Sequence, residues 1–426
     1  MSKSVKKNYP QSLKGMHDIL PSDQYIWEKI RNNLKDIAGF YNFLRIDTPL
    51  LEEAALFERT TGQDTDIVEK QMYIIKTSKG DRLALRPEGT PSVARAYIQH
   101  GLSHLAQPVK LYYEGSMFRR EQPQAGRLRQ LHQAGFEIIS NADDPVYDAQ
   151  TILACCRLIE SLKIKNLNIH INSIGCKVCR PNYRRKLIDY YKPLAKSLCK
   201  DCSRRSVNNP LRLLDCKTPA CQPFKEGAPI MLDSLCANCG KHFKAVLEYI
   251  ESLGLSYTLD HYLVRGLDYY TKTVFEIFTE GIDLAIGGGG RYDYLIAMLG
   301  GRHSPAVGAA LGLDRLVDVI KTKEINLLGK IKPKIAFIHM GDLAKRKSLS
   351  LIEELRVSGI DAVDFLGKDS LNAQLSLANK LGSPLALIFG QKEALEEDII
   401  IRDMKTGSQE TVPLKRIVKG IRRKMK

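Results

Sequence analysis

Eight of the ten cysteines lie between Cys176 and Cys239 as four close pairs: Cys176 and Cys179, Cys199 and Cys202, Cys216 and Cys221, Cys236 and Cys239. Three pairs have C-x-x-C spacing, at which two thiolates reach one tetrahedral Zn²⁺, so four pairs supply ligands for two four-cysteine sites. The competing reading is eight reduced, buried thiols. Stable disulfides are not expected, because the basic start MSKSVKKNYP is followed by no apolar export segment. Nor does any apolar run reach the roughly 18 residues of a membrane span, so a cytoplasmic chain with no membrane partner is expected. Cys155 and Cys156, within the helically spaced TILACCRLIE, read as core filler.

The cysteine-rich stretch is also basic. From Cys176 to Lys241 there are 14 Lys and Arg against 5 Asp and Glu, and from Lys332 to the end 18 against 12, whereas the whole chain carries +16. Nearly all the surplus thus sits in two regions suited to phosphate, and the remainder is balanced like an enzyme body. With 426 residues, 44% hydrophobic and 26% charged, the chain has material for about three domains and is not a disordered or coiled-coil protein.

A helix is predicted from PSDQYIWEKIRNNL, with capping residues from Pro21 to Asp23. VKLYYEGSMF, LRQLHQAGFEII, YTLDHYLVRGL and KTVFEIFT read as strands of an antiparallel sheet. Helices at VYDAQTILACCRLIESL and GAALGLDRLVDVIK flank it, giving an α+β body interrupted by the basic cysteine region. KTKEINLLGKIKPK reads as a linker. Beyond it, strands and helices alternate from IAFIHM to DIIIRDM, which predicts a small α/β domain with a largely parallel sheet.

Six constellations stand out. Arg119, Arg120, Arg127 and Arg129 crowd the loop between two strands, where guanidinium forks suit oxyanions; the bland alternative is a solvated basic hairpin. On the returning strand the two-residue period puts Gln133, Gly135 and Glu137 on one face, with Gly135 leaving space between two hydrogen-bonding side chains. In RPEGTP, Thr90 before Pro91 makes a good helix N-cap, and Glu88 can stay near the positive helix end or accept an ammonium group. In LVRGLDYYT, Arg265, Tyr269 and Tyr270 can orient a carboxylate and a heterocycle, or be an exposed arginine and two half-buried rings. The run Gly287 to Gly290, between a short strand and a helix, clears backbone for a flat or phosphorylated ligand, although it is no P-loop. Helical spacing puts Gly308, Gly312 and Arg315 on one stripe, opening a groove or packing helices tightly.

Together these segments resemble the class II aminoacyl-tRNA synthetases, and more narrowly the histidyl-tRNA synthetase family. The resemblance runs in family order through GMHDILP, DTPLLEEAALF as motif 1, RPEGT, FRREQPQAGRLRQLHQ as motif 2, LVRGLDYYTKTVFE as the histidine signature and VGAALGLDRL as motif 3. It implies an α+β fold with an antiparallel-sheet catalytic domain in two parts, 1–172 and 255–325. A cysteine-rich insertion, 173–254, divides the parts, and an α/β anticodon-binding domain follows at 331–426.

By the same resemblance Glu88, Gly89 and Thr90 bind the histidine amino group, and Gln133 binds substrate. Glu137 and Tyr269, with Tyr270 beside them, read the imidazole. Arg119 and Arg265 act catalytically at the α-phosphate and also touch histidine; Arg127 and Arg315 bind ATP with Arg119. Pro49 marks a homodimer interface. The implied reaction ligates L-histidine to tRNA(His) through a histidyl-adenylate, using ATP and Mg²⁺, with Zn²⁺ possible in the insertion. The alternative is a catalytically silent paralogue serving as a regulatory subunit or tRNA sensor. Three positions depart from the family's usual residues: Gln122 replaces an arginine, Tyr294 a glycine and Asp314 a glutamate. The first removes a charge near ATP or the tRNA acceptor end.

Overall fold

The computed structural model describes residues 10–62, 65, 67–122, 127–327 and 334–425. The chain divides into two compact units, Met1–Leu327 and Leu328–Lys426. In the first unit the strands are β1 (Leu44–Arg45), β2 (Leu51–Glu53), β3 (Tyr73–Lys76), β4 (Arg82–Leu85), β5 (Val109–Phe118) and β6 (Gln130–Ile139), then β7 (Leu167–Ser173), β8 (Tyr257–Leu259), β9 (Thr271–Thr279), β10 (Ile282–Arg291) and β11 (Ala306–Gly312).

Eight of them form one sheet in the order β1-β5-β6-β11-β10-β9-β7-β8. Its centre is antiparallel, and only the edge pairs β1–β5 and β7–β8 are parallel. Strands β2, β4 and β3 make a separate three-stranded sheet. Alternation sorts the two faces of the large sheet. Ala134, Phe136 and Ile138 of β6 enter one core with Ile26, Trp27, Ile30 and Leu34 of helix Gln24–Phe40 and with the helices Val146–Ser161 and Leu313–Thr322. Each such large apolar side chain contributes roughly 1.5–3 kcal/mol by leaving water. Gln133, Gly135 and Glu137 take the opposite face, as the two-residue period requires. Cys155 and Cys156 are fully buried core residues.

Several local expectations are corrected. The glycine run is not a loop; Gly287 to Gly290 lie inside β10, paired to β9 and β11. Likewise Gly308 and Gly312 belong to β11, and the helix carrying Arg315 begins at Leu313, so the three share no helical stripe. Low strand propensity hid both strands, and pairing at the centre of a sheet overrides it. YTLDHYLVRGL is a strand only over Tyr257–Leu259. Asp23 starts the first helix without a side-chain cap and instead pairs with Lys321 at 2.9 Å.

The cysteine-rich insertion holds the helices Arg180–Tyr191, Lys200–Asn208, Gln222–Glu226 and Ala237–Ser252 and no strand. It has no separate core: Cys179, Tyr183, Leu187, Cys202, Cys216 and Cys239 pack in one cluster with Leu263, Tyr269 and Tyr270.

The second unit has the strands β12 (Ile335–His339), β13 (Ala362–Asp364), β14 (Leu385–Phe389), β15 (Asp398–Asp403) and β16 (Gln409–Pro413) in the order β13-β12-β14-β15-β16. The expected largely parallel sheet is mixed: β13, β12 and β14 are parallel, while β14, β15 and β16 are antiparallel. The cause is a hairpin, in which Gly407 at φ +74° turns β15 back into β16. Two apolar clusters, one around Phe337, Leu387 and Ile401 and one around Ile338, Ala386 and Ile388, cover the two faces. Part of the expected linker, 328–333, lies outside the described residues.

Candidate active site and cysteine clusters

The polar face of the large sheet opens into a cavity of about 510 Å³ lined by Arg119, Arg127, Gln133, Arg265, Gly288 and Arg315, among others. Four guanidinium groups from distant segments thus surround one space. Arg119 follows β5, and its Nε donates to the Pro87 carbonyl at 3.0 Å. Arg127 lies 3.6 Å from Glu121. Arg315 leaves the first turn of its helix and donates to the Ala285 carbonyl. Burial, with Arg119 and Arg127 close by, lowers its pKa. Arg265 pairs with Glu276 across the cavity wall. It passes so close to β10 that a Cβ on Gly288 would lie 2.8 Å from its guanidinium. The other hairpin arginines are structural: Arg120 binds the Lys70 carbonyl and Arg129 that of Glu121.

Deeper on the same face, Glu137 is wholly buried. It accepts from the Thr90 hydroxyl at 2.7 Å and from Tyr292 at 2.5 Å. Burial pushes its pKa up to about 8, against the two hydroxyls that favour the carboxylate. Gly308, its register partner, leaves it room, since a Cβ there would meet the carboxylate at 1.5 Å. Tyr269 donates to Glu88 at 2.8 Å, and burial together with Glu88 holds its hydroxyl pKa well above the ordinary value, so it remains a donor. The Tyr270 ring lies tilted against Tyr269, centres 4.6 Å apart, with the Arg265 guanidinium 5.8 Å from its ring centre. The buried Oε1 of Gln133 has no hydrogen-bond partner among the described residues.

Two expectations change here. Thr90 does not cap its helix, whose N-cap is Gly89; its hydroxyl is spent on Glu137. The space beside Gly135 is filled by the ring of Tyr113, its register partner on β5, not left open between Gln133 and Glu137. Tyr269, paired with Glu137 by resemblance, gives its hydroxyl to Glu88. Sequence reasoning missed Tyr113, Tyr292 and Glu276. Alternation held the signal for Tyr292, since Gly288, Gly290 and Tyr292 share a parity, but a glycine run read as a loop has none. Of the departures, Gln122 is exposed on the hairpin, Asp314 receives the His132 amide at 2.6 Å, and the Tyr294 ring lies under the Lys177 ammonium at 3.9 Å.

The cysteines gather into two sets, Cys176, Cys179, Cys236 and Cys239, and Cys199, Cys202, Cys216 and Cys221, each with all four Sγ atoms within 4.8 Å of one another. All eight are free thiols. A tetrahedral zinc with Zn–S bonds of about 2.3 Å spaces its sulfurs about 3.8 Å apart. The observed separations are 3.7 Å for Cys176–Cys179 and 4.0 Å for both Cys176–Cys236 and Cys199–Cys216. Backbone amides already point at the sulfurs, as thiolates require: Cys236 N to Cys179 Sγ at 3.0 Å and Val178 N to Cys176 Sγ at 3.3 Å. The donor set fits a metal held by four thiolates.

An antiparallel sheet with one arginine before the motif 2 loop and another opening the motif 3 helix, both facing one cavity, defines the catalytic domain of a class II aminoacyl-tRNA synthetase. Residues 15–177 and 229–316 match the family described as Histidyl-tRNA synthetase, and residues 334–424 match Anticodon binding domain. The histidine–tRNA ligase of Desulforamulus reducens is 43% identical over 409 residues, covering 95% of this chain and 97% of its own. That of Dehalococcoides mccartyi is 43% identical over 417 residues, covering 97% and 100%. The apo S. aureus histidyl-tRNA synthetase structure superposes with a TM-score of 0.80 at 32% identity, over 97% of this chain and 99% of that one. The chain belongs to the histidyl-tRNA synthetase family.

Proposed function

We propose that this chain activates L-histidine with ATP and transfers it to tRNA(His). The observation that carries the reading is the meeting of four arginines and Gln133 in one cavity, with the buried Glu137 further along the same sheet face. In the first step a histidine carboxylate oxygen attacks the α-phosphorus of ATP, the bond to the bridging oxygen breaks, and diphosphate leaves. In the second, a hydroxyl of the terminal ribose attacks the adenylate carbonyl and AMP leaves. In the first step the nucleophile arrives already ionised, so there the protein supplies alignment and positive charge, not a base; in the second the hydroxyl proton leaves with the departing AMP phosphate. Arg119 and Arg265 face the α-phosphate, Arg127 and Arg315 the distal phosphates, and Mg²⁺ accompanies the diphosphate.

Glu88, Gly89 and Thr90 form the ammonium end of the pocket, with Gln133 Oε1 as a waiting acceptor. Glu137, Tyr269 and Tyr270 select the imidazole, whose ring nitrogens offer these groups hydrogen-bond partners that other side chains lack. Retention of all these arginines in one cavity gives the silent-paralogue reading no support.

Each cysteine set holds one structural Zn²⁺ in this reading, the domains divide near residues 172, 254 and 330, and both basic regions meet tRNA in the cytoplasm. Exposed Leu50, Leu51, Ile74 and Ile75 on or beside the small sheet, close to Pro49 in sequence, support a homodimer built around that sheet. Among the described residues no helix is long and apolar enough to cross a membrane. Diphosphate exchange into ATP, run with each of the twenty amino acids, is the test: exchange with histidine alone is expected, and exchange with none overturns the reading. Zinc analysis is expected to give about two per chain, and less than about half of one removes the metal assignment.

A further inference from the structure

Three side chains of the cysteine-rich insertion reach across to the loop that bears Arg265, Tyr269 and Tyr270. Arg180, first residue of its helix and next to Cys179, donates Nη2 to the Tyr270 carbonyl at 2.6 Å and Nε to the Ile174 carbonyl at 3.4 Å. Arg212, between Cys202 and Cys216, donates to the Arg265 carbonyl at 3.4 Å. Asn209 donates to the Asp268 carboxylate at 3.2 Å. The Ile174–Gly175 backbone, immediately before Cys176, pairs both ways with Lys272, at 2.7 and 2.9 Å. The loop itself has little regular structure between β8 and β9. Its ties to the insertion fall at Arg265, Asp268 and Tyr270, beside the groups that face substrate.

We propose that the insertion is the mould of the histidine-signature loop. Arg180 and Arg212 are positioning residues, and the two cysteine sets, once metal-bound, hold them in place, so that metal occupancy sets histidine affinity. One set anchors the Tyr270 end of the loop and the other the Arg265 end. Arg119 and Arg127 of the hairpin and Arg315 of the helix Leu313–Thr322 stand outside this mould, which touches ATP only through Arg265 at the α-phosphate, so Arg180 at the Tyr270 end governs histidine binding far more than ATP binding. The inference rests on the two-metal, histidine-activating reading above. Failure of that reading shows in the unmodified enzyme, as absence of exchange or of zinc, before any variant is compared.

The test uses the full chain in diphosphate exchange without tRNA, with calorimetric histidine binding as a second readout. Arg180→Ala is expected to raise the histidine KM and Kd about tenfold, the scale of one charge-assisted hydrogen bond, with the ATP KM within twofold of wild type. Arg180→Lys recovers part of the loss. Asn209→Ala, a milder change that keeps the buried packing, raises the histidine KM about threefold. Arg185→Ala, exposed on the same helix, changes neither constant. Stripping zinc with a chelator weakens histidine binding reversibly, and added zinc restores it. The proposal is overturned if Arg180→Ala and Asn209→Ala raise both KM values in parallel, or if stripped protein that keeps its circular dichroism binds histidine as tightly as before.

Discussion

The insertion and the C-terminal unit are the two basic regions of the chain, yet they are built in opposite ways. The C-terminal unit folds around a five-stranded sheet with helices over two apolar faces, enough to close a core of its own. The insertion has helices, no strand, and a core shared with the catalytic body. A segment that closes no core of its own leans on its neighbour, on cross-links or on metal, and here four pairs of thiols stand where a sheet would be. Positive charge therefore says nothing about how a surface is held up.

The contrast can be broken at its largest difference first. Cys236→Ser with Cys239→Ser removes half of one ligand set and is expected to lower the melting temperature of the first unit by about 10 °C or more, because metal-binding free energy in such sites is folding free energy. Scanning calorimetry would show the C-terminal transition unmoved; a shift of both would mean that the two regions share their stability.

The converse variant is Leu387→Ala, which empties a fully buried site in β14. It should cost about 3 kcal/mol in the C-terminal transition. Charging of tRNA should fall at 37 °C while histidine-dependent exchange stays within twofold, and loss of exchange would contradict that separation.

The smallest effect is a slope. Glu137 has a folded pKa raised to about 8 from an ordinary 4.5, so its stabilising contribution is present below about 4.5 and is lost as pH rises toward 8. Relative to wild type, Glu137→Gln should gain a few degrees in the first unit as pH rises from 5 to 8, with no pH-dependent difference in the C-terminal unit. A constant difference across that range would place the titration elsewhere.

Much of this architecture was legible from residue patterns. The two-residue period put Gln133 and Glu137 on one face, and the cysteine spacing announced two four-thiol sets. Pattern failed where the side chain carries no signal. Glycines in β10 and the small residues of β11 have low strand propensity, and only their neighbours in the sheet make them strands. Thr90 followed local rules for a cap until a carboxylate 47 positions away took its hydroxyl. Which cysteine pairs combine, and that Tyr113 and Tyr292 line the Glu137 pocket, are facts of long-range register that no local window contains.

The cysteine sets are nested: the first pair closes with the last, and the two middle pairs close inside them. On a ribosome, the inner quartet is complete once Cys221 has emerged, while the outer one waits for Cys239. At 5–20 residues per second that interval is roughly one to four seconds. The newborn chain therefore gathers its ligands from the inside outward. The last cysteine to appear completes the outer quartet, whose Cys179 adjoins the arginine that grips the Tyr270 carbonyl.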